Sequence, residues 1–163
     1  EALMTYHLCQ NNLDRYSVHL HAILTDLDEL CNPVHVVDFA HLTSACDDPE
    51  RIQRFLTHSE ALIRWLLDSG RLPSSAAVPQ LALLAVAYDK NKKASSKEAV
   101  FSTMRALLAE PSQTALWLVD ALDRCGKQSE AEALLEQLSH DGLTPRSRGV
   151  IPRDPDPSRK DMP

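Results

Sequence analysis

The sequence predicts an all-α protein, an α-solenoid of about three to four antiparallel helical hairpins stacked side by side. Three observations carry that reading. A short signature, Ser or Thr, two variable residues, Glu-Ala, then Leu or Val, occurs as THSEAL at 57–62, SSKEAV at 95–100 and SEAEAL at 129–134. Each copy has a proline eleven positions after its last residue, at Pro73, Pro111 and Pro145. A shift of 34 positions then lays Ala87 on Ala121, Lys93 on Lys127, Ser95 on Ser129, Glu98 on Glu132 and Pro111 on Pro145 without a gap. The composition agrees: four glycines and three phenylalanines against abundant Leu and Ala favour helix over sheet.

Residues 1–56 lack the signature but keep helical periodicity in "DRYSVHLHAILTDLDEL" and "HVVDFAHLTSA", with a break at "NP" (32–33), and are expected to form one or two diverged hairpins. "DDPE" (47–50) reads as an Asp N-cap with Pro at the first helical position. Residues 57–77 are expected to hold the second helix of a hairpin and a loop, "PSSAAVP", that absorbs the four residues by which the first repeat step exceeds 34.

The clearest repeats are 78–111 and 112–145. "LALLAVAY" (81–88) and "ALWLVDAL" (115–122) are apolar around most of the circumference, the mark of helices buried between neighbours. Their partners carry one apolar stripe each: Val100, Met104 and Leu108, then Ala131, Leu134, Leu135 and Leu138. Thr57/Glu60, Ser95/Glu98 and Ser129/Glu132 have capping-box spacing, in which a hydroxyl accepts a first-turn N–H while the Glu reaches back. Gly70 and Gly142 sit near helix ends, where positive φ is wanted; Leu108 replaces the glycine in the middle copy. The aligned position is small in all three copies, which predicts that Ala99 and Ala133 are buried at equivalent places in successive hairpins. Residues 146–163, rich in proline and without apolar periodicity, read as a disordered tail.

The net charge of −6, with −8 on residues 1–145, does not suggest a general polyanion binder. Cys9, Cys31, Cys46 and Cys125 are widely spaced, which favours buried thiols in a reducing compartment over a disulfide framework or zinc site. No apolar run approaches the roughly 18 residues of a membrane span. The chain opens on Glu1, so the natural N-terminus, with any targeting peptide, is expected upstream.

No nucleophile elbow, glycine-rich phosphate loop or paired catalytic carboxylates are present, so an enzyme is not expected and no cofactor is implied. His19/His21 and His35/His41 are spaced i,i+2 and i,i+6, unlike the i,i+4 pair that binds zinc on one helix face. Asp47-Asp48 and Asp26/Asp28/Glu29 are more simply solvated or capping charges. Trp65 and Trp117 are candidate partner anchors, packing between hairpins being the simpler role. "DKNKK" (89–93) puts Lys90, Lys92 and Lys93 in an inter-helix turn, as candidate phosphate contacts or as a solvated turn.

"TALWLVDALDRCGKQSEAEALLEQLSHDGLTP" (114–145) resembles a pentatricopeptide repeat, with Gly126, Ala131, Gly142 and Pro145 on the family's positions. Residues 78–111 match less well, since Lys92 and Lys97 replace the turn glycine and the small helix residue. Trp117, Ala121, Ala133 and Pro145 also sit at tetratricopeptide spacing. Both families have the stacked-hairpin fold, and the resemblance covers residues 57–145. It implies organellar RNA binding, one base per repeat, with Ala82, Leu116, Val78 and Ser112 at the base-reading positions. Of these only Ser112 can hydrogen-bond to a base edge. A non-catalytic scaffold for protein partners in a mitochondrial RNA or ribosome assembly is therefore the favoured reading. Weak, sequence-indifferent RNA binding is the alternative, and cytoplasmic residence follows if the resemblance fails. "ALDRCGKQSEAEALL" also resembles the last helices of caspase-recruitment domains, which makes a death-fold adaptor the second alternative, although that six-helix bundle leaves the 34-residue register unexplained. So short an array needs neighbouring surface to cover its ends, so it is expected within a longer protein or a multi-subunit complex.

Overall fold

The computed structural model describes residues 2–109 and 112–142. These residues form eight helices and no strand, with one isolated bridge between Leu27 and Pro33. The helices are α1 (Ala2–Cys9), α2 (Leu13–Thr25), α3 (Phe39–Thr43), α4 (Pro49–Asp68), α5 (Ser74–Lys90), α6 (Ala94–Leu107), α7 (Ala115–Arg124) and α8 (Gln128–His140). Pro111, Pro145 and the proline-rich segment 146–163 lie outside the described residues.

Three tight hairpins share one turn chemistry. At the end of α5, Lys92 takes φ +58°; its N–H donates to the Asp89 carbonyl and the Lys93 N–H to Tyr88. At the end of α7, Gly126 takes φ +75°; its N–H donates to Asp123 and the Lys127 N–H to Leu122. These are Schellman turns, and they match bond for bond at the 34-residue shift. Asn11 (φ +56°) and Asn12 repeat the arrangement between α1 and α2. In all three, the residue that closes the first helix also opens the second. The carbonyls of Asn12, Lys93 and Lys127 accept from Tyr16, Lys97 and Ala131.

That double role overturns the capping boxes. Ser95 and Ser129 lie at the second helical position, because the left-handed turn residue sets the helix start at Ala94 and Gln128, and neither α6 nor α8 has a side-chain cap. Thr57 lies inside α4, where Gln53 donates to it, and Glu60 reaches forward to Arg64 at 2.9 Å. The boundary expected at 56/57 thus falls mid-helix. Asp48 and Pro49 do open α4 as the sequence indicates, the Asp48 carboxylate accepting from Glu50 and Arg51. The expected loop "PSSAAVP" is instead the first turns of α5. Pro79 forgoes only a bond to the carbonyl of exposed Ser75, so it is tolerated there.

α5 is the centre, packed by α3, α4, α6 and α7. Every residue from Ala76 to Ala85 is buried, and Ala82, Ala85 and Ala87 let neighbours approach closely. α7 packs on α5 and α8. At the other end, the buried Tyr16 hydroxyl lies 2.7 Å from Ser59 Oγ, and its ring meets Phe55 edge-on at 4.9 Å. Burial raises the Tyr16 hydroxyl pKa well above that of free tyrosine. Gln80, also buried, accepts the Val37 N–H at 3.3 Å and ties the loop before α3 to α5.

Ala99 and Ala133 are exposed, against expectation, as is the aligned Ala61. They lie off the buried stripes, which run through Val100, Phe101 and Met104 in α6 and through Ala131 and Leu138 in α8. Ala133→Leu is therefore expected to leave the thermal midpoint within the range of surface substitutions, about 0.5 kcal/mol either way.

All four cysteines are free, but only Cys46 is buried and Cys125 half-buried; Cys9 and Cys31 are exposed, where buried thiols were expected. Burial pushes the Cys125 thiol up to about 11. At pH 8 roughly one Cys125 in a thousand is then a thiolate. A maleimide titration with peptide mapping should label Cys9 and Cys31 first and Cys125 far more slowly.

Candidate functional site

A cleft of about 410 Å³ opens between α6, α7 and α8. Its floor is apolar: Leu108, Ala115, Leu118, Leu122, Leu134 and Leu138. Exposed Ala133 stands at its wall, where a larger side chain would narrow it.

The rim is charged and organised. Arg105 of α6 meets Glu130 of α8 at 2.7 Å, and Lys127 bridges Glu98 at 2.8 Å and Glu130 at 3.3 Å. The chain Glu98–Lys127–Glu130–Arg105 thus joins the α5/α6 hairpin to the α7/α8 hairpin. Its hydrogen bond to Lys127 holds Glu98 below the usual carboxylate range, and the same bond raises Lys127. This contribution is lost as pH falls through the lowered Glu98 value, or as it rises through the raised Lys127 value. Glu98, Glu130 and Arg105 are exposed and Lys127 is partly so, so the link adds little to stability.

The residues singled out in the sequence are not gathered at this cleft. Lys90 and Lys92 are exposed and Lys93 partly so, around the α5/α6 turn. Ser112 precedes α7, where its carbonyl accepts the Ala115 N–H. Trp65 is 50% exposed on α4, with the Arg71 guanidinium 5.1 Å from its ring centre and His21 at 6.5 Å. Trp117 is partly buried on α7 and lines a separate small cleft with Pro33, Val36 and Pro79. Val78, Ala82 and Leu116, at the carried-over base-reading positions, are buried.

His19 stacks on His7 at 5.1 Å, and His58 Nε2 hydrogen-bonds Ser17. Among the described residues no group of three or more His, Cys, Asp or Glu could hold a metal ion. No described helix is long and apolar enough to cross a membrane.

Arg105, Glu130 and the Leu118/Leu122 floor went unread in the sequence. One signal for them was available: α7 is apolar on more faces than α5 and α8 can cover. No family model, curated protein or solved structure matches the chain.

Proposed function

We propose that this protein is a non-catalytic scaffold of stacked helical hairpins, which seats an amphipathic helix of a partner protein in the cleft between α6, α7 and α8. The observation that carries it is the cleft's make-up, an apolar floor sized for two or three side chains beneath an ion-paired rim, the usual geometry of helix-in-groove recognition. The solenoid reading draws support from the matching turns at Lys92 and Gly126 and from the packing of α5 on α7. A mitochondrial RNA or ribosome assembly is the setting that the pentatricopeptide resemblance favours. Base reading is disfavoured, because Val78, Ala82 and Leu116 have no access to a nucleotide.

The test uses Ala133→Trp, which fills the cleft from an exposed position and should leave the helical content unchanged. A partner captured from cells by the wild-type chain, then purified, should bind the variant at least about tenfold more weakly. Lys92→Gly, remote from the cleft lining, should bind it normally. Equal binding by wild type and Ala133→Trp would overturn the assignment of the cleft. Recovery of the protein only as a free monomer would overturn the scaffold itself.

A further inference from the structure

A second cleft, of about 510 Å³, lies where α3 meets the C-terminal ends of α5 and α7. It is lined by His41 and Ser44 from the α3 region, by Asp89 and Lys90 from α5, by Arg124 from α7, and by Asp38. Its lining carries two cations and two carboxylates, and one of the carboxylates is taken by a lysine outside it. The Asp89 carboxylate already binds Lys97 Nζ at 2.8 Å, and the Asp38 carboxylate accepts the His41 N–H at 3.1 Å.

Lys90 and Arg124 form no ion pair among the described residues. Nor are they needed to satisfy the ends of their own helices. The Ala87, Tyr88 and Asp89 carbonyls take N–H groups from Asn91, Lys93 and Lys92, and those of Ala121, Leu122 and Asp123 take N–H groups from Cys125, Lys127 and Gly126. Two cations brought together from hairpins 34 residues apart, in one concave site, thus face Asp38 and a lysine-bound Asp89 without an ion pair to either. Exposed Lys92 and the partly exposed Lys93 follow in the adjoining turn.

We propose that this cleft binds a phosphate monoester, with Arg124 and Lys90 pairing its oxygens and the His41 ring and Ser44 hydroxyl completing the shell. A monoester carries about −1.5 to −2 charges and three terminal acceptor oxygens, which suits two cations and two neutral hydrogen-bonding groups. A phosphodiester strand fits the site less well. Its phosphate offers one charge and two free oxygens, a poorer match to two cations, and the strand would have to run on over a chain of net charge −6. The proposal is independent of the apolar cleft between α6, α7 and α8: Arg124 and Lys90 lie outside that lining, so either site can fail alone.

The experiment is an amide NMR titration of the full chain with inorganic phosphate, at constant ionic strength set with chloride. Saturable shifts are expected around Ala40, Ser44 and Val86, with affinity falling about tenfold in Arg124→Gln and in Lys90→Gln. Arg124 and Lys90 are exposed, so unchanged helical circular dichroism should accompany both variants. Two further arms identify the source of the phosphate: a phosphoserine peptide and a single-stranded RNA without terminal phosphates. Tighter binding of the peptide than of free phosphate would assign the site to a phosphorylated side chain, whereas equal binding would assign it to small phosphate esters, and both support the proposal. No saturable response to phosphate, a response untouched by Arg124→Gln, or tighter binding of the RNA than of the peptide would each overturn it.

Discussion

Leu84→Ala should lower the stability of the protein by about 2–5 kcal/mol, the range for emptying a fully buried leucine site. Leu84 is wholly buried in α5, the helix against which α3, α4, α6 and α7 all pack, so the surroundings cannot collapse from one side to fill the void. Leu134→Ala provides the contrast, because Leu134 is only partly buried and borders the open cleft. It should cost about 1 kcal/mol or less, since less apolar area returns to water and no closed cavity forms. Urea denaturation followed by helical circular dichroism measures both. Equal midpoints for the two variants would show that α5 is not the centre of the packing.

A pH-dependent loss should follow from Gln80→Glu. In the wild type, Gln80 Oε1 accepts the Val37 N–H while Nε2, buried, has no partner in the structure. A Glu keeps the acceptor but puts a carboxylate oxygen where the amide nitrogen was. Burial disfavours the ionised form, so the folded-state pKa rises above the ~4.3 of the unfolded chain. Below that unfolded value the variant carries no ionisation penalty. As pH climbs from there towards the raised folded value, the penalty grows by about 1.4 kcal/mol per unit. With a folded value above neutrality, the loss at pH 7 is about 3–4 kcal/mol. Gln80→Met is the uncharged comparison: it strands the Val37 N–H and costs about 1–3 kcal/mol with no dependence on pH. Parallel denaturation curves at pH 5 and pH 7 check this, and a Gln80→Glu deficit equal at both values would refute the burial argument.

The helices were legible because their signals are local. The all-apolar stretches at 81–88 and 115–122 and the Asp48-Pro49 start each depend on a few neighbouring residues. The 34-residue register was legible too, and it reappears in the hydrogen bonds of two turns. The start signals misled because a Ser three residues before a Glu fits a helix interior as well as a helix start. What decided the starts was a left-handed turn residue: Lys92 before α6, where lysine does not advertise the role, and Gly126 before α8, where the glycine did. Ala99 and Ala133 were misplaced separately: both lie off the apolar stripes Val100/Met104 and Ala131/Leu138 that the sequence itself displays.

The candidate sites were less legible, for a different reason. A cleft wall made of Leu118, Ala133 and Leu138, or a meeting of His41, Lys90 and Arg124, is a fact of packing between distant segments. No spacing along the chain encodes it.

The residues that end one helix and begin the next also bear on how the chain finds its fold. In each hairpin the two helices meet through contacts only a few residues apart around the turn, so the entropic cost of closing that loop is small. Hairpins α1/α2, α5/α6 and α7/α8 are therefore placed to form early and locally. The slow event is left to the contacts that bring α3 and the loop anchored by Val37 onto α5, across 43 residues of sequence between Val37 and Gln80. The turns themselves have no slack. One residue added beside Lys92 or Gly126 would leave a single amide and carbonyl unable to serve both helices, whereas the segment between α2 and α3 could lengthen without disturbing either.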